Sequence, residues 1–190
     1  LFDSAFQNSG QVCIAMKRLY VHDSIYDEVV DELASIANDT IIGDGLEQGT
    51  KLGPLQNKMQ YEKVKELIES ARQDGNIVAG GEVPDQSGYF IRPTIVRDVT
   101  EGSRIVDEEQ FGPVLPVIRF SDESDAIARA NNSDYGLGGS VWSSDLDRAY
   151  DVANQMNAGT VWINKHAELD PGIPFGGSKQ SGLGNELGME

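Results

Sequence analysis

Apolar residues in the early part of the chain recur at helical spacing. After Asp23 and Ser24, both good N-cap types, Ile25, Val29, Val30, Leu33, Ile36 and Ala37 follow one face until "NDTIIGDG" breaks the period. This pattern predicts an amphipathic helix. A second helix is predicted after Asn57, with Tyr61, Val64, Leu67, Ile68 and Ala71 on one stripe and Gly75 as its stop. A third is expected at about residues 123–130 and a fourth at 146–156, closed by Gly159.

Between these helices the pattern changes to short runs of valine, isoleucine and aromatic residues: "RLYVH", "NIVAG", "YFIRPTIV", "VLPVIRF", "GGSVWS" and "GTVWIN". They read as strands. Strands alternating with helices call for a mainly parallel sheet covered on both faces. The expected fold is a three-layer α/β/α domain spanning residues 1–190.

Composition adds limits. The chain has 190 residues, 39% hydrophobic and 24% charged, enough for a real core, and no apolar run approaches the length of a membrane span. A soluble globular chain with no membrane partner is expected. Its net charge of −16, without any basic stripe, repels phosphate backbones and anionic surfaces, so nucleic acid is excluded as a partner. The single cysteine cannot form an internal disulfide, and the N-terminus lacks a secretory pattern, which together predict a reducing, cytoplasmic setting. Opening at Leu1 in a helical stretch and stopping at Glu190 without a closing element, the chain reads as part of a longer one.

The chemistry centres on that one cysteine. Cys13 ends the polar stretch "FQNSGQVC" and enters the apolar segment that holds Val12, Ile14, Ala15 and Met16. A lone cysteine is most often a small buried hydrophobe. A thiol where a polar turn meets an apolar segment can instead receive backbone N–H groups, which favour the nucleophilic thiolate. His22 closes a strand and reads as a surface residue, whereas His166 follows "INK" at a strand end, where site residues gather in parallel sheets. With one cysteine and two separated histidines there is no zinc spacing, and no metal is expected. "GLGNELG" looks like a phosphate-binding glycine loop, but no strand precedes it, so it is not read as one.

"FQNSGQVC" resembles the active-site cysteine motif of the aldehyde dehydrogenase superfamily. "EEQFGPV" at residues 108–114 is similar to a second family segment, and "KLGPLQN", "GYFIRPTIV", "YGLGGSVWS", "GTVWIN" and "PFGGSKQSGLGNELG" follow in the family's order. The resemblance covers nearly the whole chain. It implies that Cys13 is the nucleophile of an NAD- or NADP-dependent oxidation of an aldehyde to a carboxylic acid, through a thiohemiacetal and a thioester. It also implies that Glu109 binds the nicotinamide-side ribose, that Phe111 packs near the nicotinamide, and that Val12, Ile14, Leu169 and Phe175 line the substrate wall. Leu169 stands where some members carry a second aromatic residue. In the family the general-base glutamate, the oxyanion-hole asparagine and most of the nucleotide domain precede the cysteine, and an arm that reaches a partner subunit follows the last residues. The resemblance therefore implies a catalytic-domain portion, inactive alone, of a homodimeric or homotetrameric enzyme. Two other readings stay open: a thioester or ester hydrolase that uses Cys13 with His166 as base, and a non-catalytic dimerisation module in which Cys13 is inert.

Overall fold

The computed structural model describes residues 1–189. It contains two compact units, Leu1–Ser121 and Asp122–Glu190.

The first unit holds helices α1 (Phe2–Phe6), α2 (Tyr26–Asp39), α3 (Lys58–Asp74) and α4 (Arg104–Asp107), with strands β1 (Leu19–His22), β2 (Asn76–Ala79), β3 (Thr94–Arg97) and β4 (Val114–Phe120). The strands form one sheet in the order β1-β4-β3-β2. β4 pairs in parallel with β1 (Leu19 opposite Val117) and with β3 (Ile95 opposite Leu115), while β2 joins β3 antiparallel.

Alternation along the strands divides the core into two layers, as a period of two requires. Leu19, Val21, Ile95, Leu115 and Val117 face α1 and α2, burying Phe6, Val30, Leu33 and Ala37. Val96, Val114 and Ile118 face the other way, against Val64, Leu67, Ile68 and Ala71 of α3 and Ile105 and Val106 of α4. The unit is thus a three-layer α/β/α sandwich around a mainly parallel sheet, as the hydrophobic pattern predicts.

Some boundaries differ from those predicted. Asp23 and Ser24 do not cap α2; they form a short 3₁₀ turn, and the helix begins at Tyr26. Packing sets that register: the wholly buried Tyr26 donates its hydroxyl to the Val117 carbonyl at 3.0 Å and accepts from the Asp98 amide at 3.0 Å. Asp23 pairs instead with Arg119 at 3.4 Å. Asn57 caps α3 as expected, accepting from the Gln60 amide at 2.9 Å. Gly75 ends that helix in extended backbone with φ −158, and its small size is needed because a Cβ there would lie 2.6 Å from the Arg97 carbonyl oxygen. The expected strand "YFIRPTIV" shrinks to β3, since Pro93 has no N–H to give a ladder.

The second unit contains helices α5 (Glu123–Asn131) and α6 (Leu146–Ala153) and strands β5 (Tyr135–Gly136), β6 (Gly138–Val141), β7 (Thr160–Ile163), β8 (Phe175–Gly176), β9 (Ser178–Lys179) and β10 (Asn185–Glu186). β6, α6 and β7 make a β-α-β unit with parallel strands, Ser140 lying opposite Trp162. Asp122 and Asp145 cap α5 and α6 through the amides of Asp125 and Arg148. The helix expected over 146–156 stops at Ala153, and tight turns carry the chain on to Met156. β5 pairs with β9, and β8 with β10, each antiparallel. None of the helices is long and apolar enough to cross a membrane among the described residues.

Candidate active site

The cysteine turn is held in a conformation that most residues avoid. Asn8, Ser9 and Gly10 have φ of 51, 56 and 73°, three consecutive left-handed residues. Asn and Gly tolerate this region, and a β-carbon elsewhere makes it costly. Gly10 is required twice, because a Cβ there would lie 2.6 Å from the Gly112 carbonyl carbon and closer still to its oxygen.

Side chains of the polar run fasten the turn to the loop before α3. Buried Ser9 donates its hydroxyl to the Gly53 carbonyl at 2.7 Å. Gln11 accepts from the Gln56 amide at 2.8 Å and donates from its own amide nitrogen to the Asn8 carbonyl at 3.1 Å. Residues that are poor in a core are thus good here, as each offers an N–H or oxygen to a backbone that lacks helix or sheet partners. Beyond them Cys13 is free and exposed, flanked by half-buried Val12 and Ile14, before Ala15 and Met16 enter the core.

Loop 109–112 lies against the same turn. Phe111 has φ 48°, and α3 holds its backbone: Gln60 donates to the carbonyls of Gln110 and Phe111 at 2.7 and 3.0 Å, and Lys63 donates to that of Glu109 at 2.8 Å. Gly112 is constrained by space, since a Cβ would lie 3.2 Å from one methyl of Val64 and nearer the other. Buried Gln110 donates to the carbonyls of Ile105 and Lys17, leaving its own side-chain oxygen without a partner among the described residues. Glu109 is exposed, and its carboxylate makes no hydrogen bond or ion pair among the described residues.

Lys17 connects the turn and the loop, and the sequence reading did not select it. Its ammonium donates to the Gly10 carbonyl and lies 5.8 Å from the centroid of the Phe111 ring. Burial pulls its pKa from 10.5 down to about 8, against the opposing pull of the Glu109 carboxylate. A usable signal was the lysine itself, placed where Ile14, Ala15 and Met16 lead into β1 and an apolar residue is expected.

The structure therefore packs the turn before Cys13 against loop 109–112 through Gly10 and Gly112, with Val12, Cys13, Ile14, Glu109 and Phe111 all in the first unit. Leu169 and Phe175 belong to the second, Leu169 exposed and Phe175 half-buried in β8. His166 is occupied within the second unit, its ring edge-on to Trp162 with centroids 5.1 Å apart and Nδ1 3.1 Å from the Ser140 hydroxyl. His22 is exposed at the end of β1, as expected, bonded to Ser24. Gly182, Gly184 and Gly188 adopt left-handed backbone around β10, and no helix opens from this stretch among the described residues. No three His, Cys, Asp or Glu side chains group as a metal site among the described residues.

An exposed carboxylate with no partner among the described residues, two residues from an aromatic side chain, has the hydrogen-bond-accepting chemistry that a ribose diol requires.

Comparison with known proteins identifies the family. The model of the aldehyde dehydrogenase family matches residues 1–190. The chain is 45% identical over 186 residues to phenylacetaldehyde dehydrogenase of Pseudomonas fluorescens, covering 96% of the chain and 37% of that protein. It is 46% identical over 181 residues to the NADP⁺ succinate-semialdehyde dehydrogenase of Deinococcus radiodurans, covering 95% and 38%. Among solved structures, betaine aldehyde dehydrogenase of Staphylococcus aureus in complex with NAD⁺ superposes with a TM-score of 0.95 at 38% identity, over the whole of this chain and 39% of that one. The NAD⁺ complex of aldehyde dehydrogenase from Bacillus cereus gives 0.93 at 44% identity, over 98% and 39%. The chain thus spans less than two fifths of the length of these relatives. On these grounds, and on the left-handed cysteine turn packed against the Glu109 and Phe111 loop, the chain belongs to the aldehyde dehydrogenase family.

Proposed function

We propose that the polypeptide bearing this chain oxidises an aldehyde to a carboxylic acid with NAD or NADP, with Cys13 as nucleophile and Glu109 and Phe111 on the nicotinamide side. The observation that carries this reading is the shared seam. The exposed Cys13 thiol follows a left-handed turn whose Gly10 abuts Gly112, next to Phe111, which supports a nucleophile turn packed against the loop that bears the proposed cofactor contacts.

In this reading the Cys13 thiolate attacks the aldehyde carbon, forming a C–S bond and a thiohemiacetal oxyanion. NAD or NADP, when bound, supplies the acceptor for the hydride released from that carbon. Water then cleaves the resulting thioester, giving the acid and returning the thiolate. The fixed turn 8–11 holds Sγ in one place through these steps, which is how a positioned group lowers the entropic part of a barrier. Val12 and Ile14 supply apolar walls beside the thiol, and Leu169 and Phe175 are proposed to supply more.

Relatives named for NADP⁺ and complexed with NAD⁺ support both cofactors as candidates. The aldehydes in their names, phenylacetaldehyde, succinate semialdehyde and betaine aldehyde, support the aldehyde class rather than one member. Membership of this family also supports a homodimer or homotetramer, and the lone unpaired thiol supports a reducing, cytoplasmic setting.

The test is aldehyde-dependent reduction of NAD and NADP by the full natural polypeptide over an aldehyde panel, beside a Cys13→Ala variant. Turnover that the substitution abolishes is the expected result. Turnover that survives it, or none with any aldehyde, overturns the proposal.

A further inference from the structure

Lys17 has an unusual set of neighbours for a side chain that could have been a plain hydrophobe. Its stem is packed at the entry to β1, where methionine or leucine would be buried without desolvating a charge. The ammonium instead folds back seven residues to the Gly10 carbonyl. There it lies 3.3 Å from the point that a Gly10 Cβ would occupy, at the seam where Gly10 meets Gly112.

From that position Lys17 touches the other side of the seam in three ways. The ammonium lies 5.8 Å from the centroid of the Phe111 ring. The Glu109 carboxylate acts on it as an opposite charge. The Lys17 carbonyl accepts from the buried Gln110 amide at 3.5 Å. One residue therefore meets the carbonyl of Gly10, three residues before the nucleophile, and Gln110 and Phe111 of loop 109–112, while the Glu109 carboxylate acts on it only as a nearby charge. Gln60 and Lys63 hold that loop only from the α3 side. Ser9 and Gln11 hold the turn only from the loop at 53–56.

We infer that Lys17 is a positioning residue: its ammonium fastens the Cys13 turn to loop 109–112, fixing the distance between the nucleophile and the nicotinamide-side contacts. This rests on the proposed dehydrogenase reading for its meaning, but the clamp itself is a property of the cofactor-free chain. Removing it leaves each loop on its own anchors and frees their separation. A misplacement of about 1 Å between reacting groups lowers a rate far more than it weakens binding.

The test uses the full natural polypeptide with Lys17→Met, which keeps the stem and removes the donor and charge, and Lys17→Gln, which keeps an N–H donor without charge. In cofactor-free protein, amide hydrogen exchange is expected to accelerate about tenfold in Lys17→Met over residues 8–13 and 109–112 together, with the β4 core unchanged. In the loaded enzyme, kcat is expected to fall about tenfold or more, with KM for NAD changing less, and Lys17→Gln should lie between this variant and wild type. Exchange that is unchanged, or faster in one of the two segments only, overturns the clamp. A kcat within about twofold of wild type in folded Lys17→Met overturns the positioning role. Where Lys17→Met does not melt cooperatively, Lys17→Gln carries both comparisons under the same criteria. Coupled exchange in a wild-type protein that oxidises no aldehyde overturns the functional reading and supports the clamp.

Discussion

Replacing Gly10 by alanine tests the seam directly. The backbone there has φ 73°, where a β-carbon costs about 1–3 kcal/mol. The new Cβ would also lie 2.6 Å from the Gly112 carbonyl carbon, whereas unstrained carbon contacts begin near ~3.5 Å. The Gly112 peptide must therefore retreat by about 1 Å, and Gln60, Lys63 and Val64 of α3 resist that movement. Overpacking of this kind adds about 1–3 kcal/mol, so the whole cost is roughly 2–6 kcal/mol. That is a large part of the ~5–15 kcal/mol that stabilises a typical domain. The retreat carries Phe111 and Glu109 with it, so aldehyde oxidation should fall by about 10- to 100-fold in the molecules that remain folded. The assay pairs a thermal melt with the oxidation rate of the full natural polypeptide, and Gly45→Ala serves as control, because nothing lies within 4 Å of a Cβ at Gly45. The control should leave both readings within error. A Gly10→Ala protein that melts and turns over like wild type would refute the contact between turn and loop.

Three further outcomes are expected. Cys13→Ser should abolish oxidation while shifting stability by less than about 0.5 kcal/mol in a denaturant titration, since the thiol is exposed and unbonded; a large stability loss would make Cys13 a core residue. Ser9→Ala should cost about 1–2 kcal/mol, because the half-buried Gly53 carbonyl loses the 2.7 Å donor that the buried Ser9 hydroxyl supplies, and an unchanged unfolding midpoint would count against that bond. Lys17 gives a pH dependence. Its pKa is lowered to about 8 in the fold from 10.5, so between these values the unfolded chain holds the proton that the folded chain has lost, and stability rises with pH. The full rise is about 3 kcal/mol, and melts of Lys17→Met from pH 7 to 10.5 should lack it; parallel curves for the two proteins would place the ammonium in water.

Much of this architecture was readable from the chain because its signals are local and periodic. The stripe Tyr61, Val64, Leu67, Ile68 and Ala71 located α3, and Asn57 located its cap, since both act within a few residues. The start of α2 was misread for the opposite reason: Tyr26 takes its register from Val117 and Asp98, distant in sequence, and this overrode two good local caps. At the proposed site, Cys13, Glu109 and Phe111 are candidates that short motifs announce. Lys17, Ser9 and Gln60 are not, because their partners lie 7, 44 and 50 residues away and no local pattern announces them. Even the glycines separate on this line. Gly75 stops α3 as expected, yet it is also needed for the closeness of Arg97, a neighbour that sequence spacing does not reveal.

The first two turns of α3 and the loop before it carry both halves of the seam: Gly53 and Gln56 hold the Cys13 turn, while Gln60, Lys63 and Val64 hold loop 109–112. Chain length is consequently not interchangeable along this region. Residues 44–49 are exposed, so a linker or tag spliced there is absorbed by solvent-facing loop at little entropic cost. One residue added between Gly53 and Gln60 has no such outlet. It either rotates α3 by about 100° relative to its anchors or slides Gln56 away from Gln11. This short stretch, which contains no reacting group, is thus the segment where an insertion or deletion is least tolerable, and the loop at 44–49 is the natural place to join this domain to another protein.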